Sequence, residues 1–151
     1  MIKPDFPKNE LERISCVKKY NLLDTLPESD FDNITSLVAT ICDVPISLIT
    51  LLDTDRNFLK SHHGIDIQES PRDISFCGHA ILQEDDIFIV EDAREDIRFK
   101  DNPLVDGFKA IFYAGVPLRN TDGLALGTLC IYDHKPRQLT KLQKKALITI
   151  A

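Results

Sequence analysis

Residues Ser70–Leu82 read SPRDISFCGHAIL and place Cys77 and His79 two positions apart, with Arg72 and Asp73 just before them. A thiol and an imidazole in one segment suit nucleophilic catalysis, metal ligation or covalent attachment of a group. Geometry narrows the choice. Ile74–Gln83 reads as a short helix with Asp73 as its cap. On a helix, positions two apart point roughly 200° apart. Cys77 and His79 therefore cannot share one metal ion, and a direct thiol–imidazole pair is disfavoured. Ile74, Cys77, Gly78 and Ile81 form the apolar face, so Cys77 is expected to point inward. Ser75 and His79 share another face. The segment is then either a packed helix with an inert thiol, or one wall of a pocket with His79 or Ser75 as a polar contact.

The other chemical residues give weaker signals. His62 and His63 lie on a predicted strand and point to opposite faces. A metal site would need further ligands such as Cys77 or His134, and none is predicted. Cys42 and Cys130 sit in apolar runs and read as core. Asp85, Asp86, Glu91, Asp92, Glu95 and Asp96 read as a solvated acidic rim rather than an acid–base pair. No phosphate-binding loop or dinucleotide glycine fingerprint is present. The four cysteines form no C-x-x-C pair, which fits free thiols in a reducing compartment.

The elements that must position these residues follow from periodicity. Asn9–Asp24 reads as a helix with an N-x-x-E start. Thr25 and Glu28 repeat that pattern before a second helix that ends near Cys42. Val44–Asp53 is β-branched and reads as a buried strand, with Asp53–Arg56 as a turn and Asn57–Gly64 as its partner. Asp66–Asp73 reads as loop, Asp86–Asp92 as a strand, and Ala93–Gly107 as a short helix with a proline-containing loop. Ala110–Arg119 and Leu124–Asp133 flank Asn120–Gly123, an N-T-D-G turn, and form the clearest hairpin. Thr140 and Gln143 then open a helix that runs to Ala151 without a stop signal, which predicts that the chain continues. Leu139, Leu142, Ala146, Leu147 and Ile150 are expected to pack partly on Leu11, Ile14 and Val17, and partly on a second chain. Antiparallel hairpins dominate, so the fold class is α+β, one central antiparallel sheet with helices on both faces.

Size and charge set the outer bounds. The chain has 151 residues, enough for one domain spanning residues 1–151. Its net charge of −6 argues against nucleic acid or an anionic membrane surface as a partner. The start MIKPDFPKNE lacks the apolar core of a signal peptide. The longest apolar run, Val44–Leu52, is too short to span a bilayer. A cytoplasmic location is expected.

Several segments together carry a family resemblance. These are LLDTLPESDFDNITSLVATICDVPISLITLLDTDRNFLKSHHGID, SPRDISFCGHAIL, VEDAREDIRFKDNPLV and FYAGVPLRNTDGLALGTLCIYDHKPRQLT, in that order from Leu22 to the C-terminus. They closely resemble the GAF domains of bacterial signalling proteins. The resemblance implies about six antiparallel strands and terminal helices on one face. On the other face it implies a small-molecule pocket walled by short helices. It also implies an output domain in the same polypeptide, a histidine kinase, a diguanylate cyclase or phosphodiesterase, or a transcriptional activator, and a homodimer through the terminal helices. The N-K-x-x-F…D-E pattern of cyclic-nucleotide-binding relatives is absent. Ile111 stands where close relatives often carry an Arg, which leaves Lys109 as the nearby cation. Cys77-Gly78-His79 differs from the Cys-His pair that holds a bilin in phytochrome-like relatives.

The reading is a non-enzymatic sensory module with no catalytic residues, for an unknown small molecule and an unknown cofactor. Phe76, His79, Phe99, Asn102, Tyr113 and Thr128 are expected to approach a common cavity, because they combine aromatic surface with hydrogen-bonding tips. Asp92 and Arg72 are expected to close its rim. The first alternative is a ligand-free dimerisation or linker module in which Phe76, Phe99 and Tyr113 fill that space. The second is a cysteine-based redox enzyme.

Overall fold

The computed structural model describes every residue from Met1 to Ala151. Helices α1 (Glu10–Lys19) and α2 (Ser29–Cys42) lead into strands β1 (Ile46–Leu52), β2 (Arg56–His63) and β3 (Glu69–Pro71). A 3-10 turn at Arg72–Ile74 precedes α3 (Phe76–Ala80) and β4 (Phe88–Val90). A second 3-10 turn at Ala93–Glu95 and helix α4 (Pro103–Gly107) follow. The hairpin β5 (Phe112–Arg119) and β6 (Ala125–Asp133) then leads to α5 (Lys141–Ile150). The six strands form one antiparallel sheet in the order β3-β2-β1-β6-β5-β4. No helix is long and apolar enough to cross a membrane.

Strand alternation sorts the core into two layers. Leu48, Leu59, Tyr113, Cys130 and Tyr132 face α3 and α4, while Ile49, Phe112, Ala114, Leu129 and Ile131 face α2 and α5. Helices therefore cover both faces, as expected for an α+β sheet of this kind. Phe112 and Tyr113 point to opposite sides, and Asn120–Gly123 closes the predicted hairpin. Asn120 Oδ1 accepts from the Asp122 and Leu124 amides, and Gly123 takes a positive φ of 80°.

Several boundaries differ from the sequence reading, each for a local reason. Helix α1 stops at Lys19 rather than Asp24, because Asn21 and Asp24 turn left-handed at φ 54° and 60°. The Asn9 side chain makes no cap bond. Thr25 does not cap α2; its hydroxyl donates to the Leu22 carbonyl and accepts from Lys60 Nζ. Part of the predicted 66–73 loop pairs with β2 as β3. Ser75, not Asp73, caps α3, with its Oγ accepting from the Gly78 amide at 3.0 Å. The capping box of Thr140 and Gln143 forms as predicted.

The terminal helices also pack differently. Helix α5 lies on α2, whereas Val17 of α1 joins Leu51, Phe58 and Leu126. Buried Arg13 fixes α1 there by donating to the Ala125 and Leu126 carbonyls at 3.4 and 3.5 Å. Leu11 and Leu142, both assigned to a shared stripe, remain 89% and 74% exposed.

Candidate functional site

The segment around Cys77 and His79 builds the core under α3. Phe76 stacks on Phe99 at 4.2 Å, with Tyr113 5.3 Å away and Tyr132 5.0 Å beyond it. His79 meets the Phe99 ring edge-on at 4.9 Å. Phe76, Phe99 and Tyr113 are fully buried. The predicted cavity between these residues is thus filled by their own rings, since aromatic stacking removes more apolar surface from water than an open pocket would. Tyr113 lies along its own strand over Gly115, where a Cβ would stand 2.2 Å from the tyrosine oxygen.

Cys77 is the polar centre of this layer. Thr128 Oγ1 donates to its sulfur at 3.2 Å and the Tyr113 hydroxyl at 3.4 Å, and Cys130 Sγ lies 3.7 Å away. Burial opposes ionisation of Cys77, but the donors Cys130, Thr128, Tyr113 and Thr50 outweigh it and lower the pKa. Burial pushes Cys130 well up. His79 takes no part in this: its Nε2–H donates to the Ile2 carbonyl at 2.8 Å, and burial lowers its pKa so that it stays neutral at pH 7. The absence of a direct thiol–imidazole pair agrees with the helical geometry.

The other predicted residues hold the wall together. Asn102 Oδ1 caps α4 by accepting from the Leu104 amide at 2.9 Å, and Nδ2 donates to the Ile74 carbonyl at 2.8 Å. Arg72 is 3% exposed and donates to Glu10 and the Asp53 carbonyl. Asp92 is occupied by Arg94 at 2.8 Å. No cluster of three His, Cys, Asp or Glu side chains is placed to hold a metal ion.

A separate cavity of about 40 Å³ lies on the same face of the sheet. Ile46, Leu48, Leu59 and Tyr132 form its floor, and Ile65, Ile67, Leu104, Phe108 and Ala110 form its walls. The polar lining residues are Asn57 and Ser70. Asn57 is 3% exposed, and its Oδ1 has no hydrogen-bond partner. None of the eight residues expected to surround a ligand lines this cavity. A signal for it was present in the sequence. Asn57 alternates with Leu59 on β2, so it faces the same apolar layer, where a short polar side chain is out of pattern.

Comparison with known proteins places this arrangement. The GAF domain family matches residues 27–151. A cyclic di-GMP phosphodiesterase of Pseudomonas aeruginosa is 41% identical over 138 residues, covering 91% of this chain. The chain spans 23% of that relative's length. The GAF domain of an Acinetobacter phosphoenolpyruvate-protein phosphotransferase superposes with a TM-score of 0.64 at 19% identity, covering 96% of this chain and 89% of that one. A type II free methionine-R-sulfoxide reductase of Thermoplasma acidophilum gives a TM-score of 0.65 at 17% identity, with 89% of each chain covered. The six-stranded antiparallel sheet, the helices on both its faces and the match over residues 27–151 agree: the chain belongs to the GAF domain family.

Proposed function

We propose that this GAF domain is a non-enzymatic sensory module of a bacterial signalling protein, and that it binds a small molecule in the cavity between β1, β2 and α4. The observation that carries the reading is the cavity itself, apolar but for Asn57 and Ser70, between the sheet and α4. Family membership supports a regulatory role, and the phosphodiesterase relative supports a signalling context. That relative is much longer than this chain, which supports an output domain in the same polypeptide. We assign α5, packed on α2, the task of passing the state of the sheet onward. Leu37 of α2 and Leu142 of α5 are 52% and 74% exposed, which suits a homodimer across these helices in the cytoplasm.

A second reading, a ligand-free dimerisation and linker module, is favoured by the complete filling of the space around Phe76, Phe99 and Tyr113. A thermal-shift screen of the domain against a metabolite library separates the two. The sensory reading expects stabilisation by at least one compound, lost when Leu59→Trp fills the cavity. Absence of any stabilisation leaves the scaffold reading. Sedimentation at high concentration tests the dimer, and a monomer throughout would remove it.

A further inference from the structure

We propose that Cys77 and Cys130 form an oxidative modification site: hydrogen peroxide oxidises Cys77, and Cys130 then closes a reversible disulfide that ties α3 to β6. The inference goes beyond the ligand reading and does not depend on what the cavity binds. Geometry carries it. The two sulfurs lie 3.7 Å apart, so a disulfide of about 2.05 Å needs a closure of about 1.7 Å. Cys77 Sγ also ends a relay of hydroxyls. The Thr128 amide donates to Thr50 Oγ1 at 3.2 Å, and the Thr50 and Thr128 hydroxyls meet at 2.9 Å. Thr128 Oγ1 then donates to the Cys77 sulfur at 3.2 Å. The Tyr113 hydroxyl adds a second donor at 3.4 Å, in the room left by Gly115. All these groups are fully buried. An inert thiol in an apolar layer needs no such donors. Donors converging on one sulfur stabilise the thiolate, which is the form that a peroxide oxidises. Burial opposes that charge at Cys77, and the donors outweigh it. Cys42 supplies the contrast: it is buried as deeply, and burial raises its pKa.

Size selects the oxidant. The cavity of about 40 Å³ holds roughly three water-sized groups, and hydrogen peroxide has only two oxygens. Tyr132 lines that cavity and packs against Tyr113 at 5.0 Å, which brings a peroxide to the edge of the aromatic layer around Cys77. The Cys77 sulfur attacks one peroxide oxygen; an S–O bond forms, the O–O bond breaks, and the leaving hydroxide takes up the proton Cys77 released and departs as water. Cys130 Sγ then attacks Cys77 Sγ; the S–S bond forms, the S–O bond breaks, and the hydroxyl leaves as water with the Cys130 proton. Two thiols lose two electrons, and one peroxide becomes two waters. Leu129 and Ile131, on either side of Cys130, face the layer that holds Leu147 of α5, so a shift of β6 is felt at that helix.

The reduced wild-type domain is treated with hydrogen peroxide, stopped in denaturant with an alkylating agent, and mapped by mass spectrometry without reduction. The expected result is a Cys77–Cys130 cross-linked peptide, removed by dithiothreitol, that forms at least about tenfold faster than Cys42 is oxidised. Thr128→Val removes one donor and keeps both sulfurs. It should slow the cross-link about tenfold and move its pH profile to higher pH, with Cys42 oxidation unchanged. Oxidation of Cys77 and Cys42 at one common rate would mean that unfolding exposes both, and overturns the proposal. Conversion of Cys77 to a sulfinic acid with Cys130 still reduced overturns it, as does survival of both thiols in excess peroxide. The comparison of Cys77 with Cys42 in the wild-type domain decides the matter even if the variant fails to fold.

Discussion

Replacing Glu10 with Gln should cost the domain about 3 kcal/mol of stability. Glu10 Oε1 accepts from Arg72 Nη1 at 2.6 Å and Arg13 Nη2 at 2.9 Å. Its Oε2 accepts from Arg13 Nε at 3.0 Å and Arg72 Nη2 at 3.1 Å. The side chains of Arg13 and Arg72 are 0% and 3% exposed, so this carboxylate is their shared counter-charge. Burial raises the Glu10 pKa, but the two guanidinium groups outweigh it and lower the value from 4.5 to about 2. That shift corresponds to roughly 3 kcal/mol favouring the charged form. Removing one partner of a buried ion pair costs a similar amount, roughly 3–5 kcal/mol. The sign follows from the depressed pKa. The contribution is complete above the unfolded value of 4.5 and is lost as pH falls towards 2. Urea titrations of both proteins at pH 7 and pH 3 check this. The gap should be about 3 kcal/mol at neutral pH, near 6–12 °C in Tm, and fall below half by about pH 3. A gap under about 1 kcal/mol at pH 7, or one unchanged at pH 3, would refute the reasoning.

Three other substitutions or probes address separate parts of the fold. Gly115→Ala should displace the Tyr113 ring, since the new Cβ would stand 2.2 Å from its hydroxyl, and cost about 1–3 kcal/mol by urea denaturation. Arg137→Ala should free the end of α2, because Arg137 donates to the Cys42 and Asp43 carbonyls and pairs with Asp133 at 2.8 Å; calorimetry should show a loss of about 2 kcal/mol. A thiol reagent should label Cys16 alone in the native domain and all four cysteines in denaturant, because Cys42, Cys77 and Cys130 are at most 1% exposed. Rapid native labelling of Cys77 or Cys130 would show that the layer around Cys77 opens.

The strongest sequence signals were those whose partners lie nearby in the chain. N-T-D-G carried its own turn, and Thr140 and Gln143 satisfied each other across one helical turn. Asn9 and Thr25 offered the same local chemistry without forming caps, and a distant cation, Lys60, reaches Thr25 instead. Strand β3 is polar and only three residues long; it exists because β2 offers it a free edge. The candidate site divides in the same way. Residue type and the family resemblance placed Phe76, Phe99 and Tyr113 around one cavity, but not that their rings would close on one another. Asn57 was legible as a polar break in an alternating strand, yet the cavity beside it depends on loops and α4 brought together only by the fold.

The central position of the β1–β6 pairing sets the order of events as the chain leaves the ribosome. Residues Ile46–Leu51 pair with Tyr132–Gly127, so about 80 residues separate the middle strands of the sheet. At roughly 5–20 residues per second, the β1–β2 hairpin is complete about 3–14 seconds before β6 can cover its inner edge. During that interval a hairpin with the apolar run Ile46–Leu52 stands with an unpaired edge, open to a neighbouring nascent chain. Slower translation between β2 and β6 would lengthen that exposure, so the soluble yield of this domain should rise with faster synthesis of residues 64–124 or with a chaperone that shields β1 until β6 arrives.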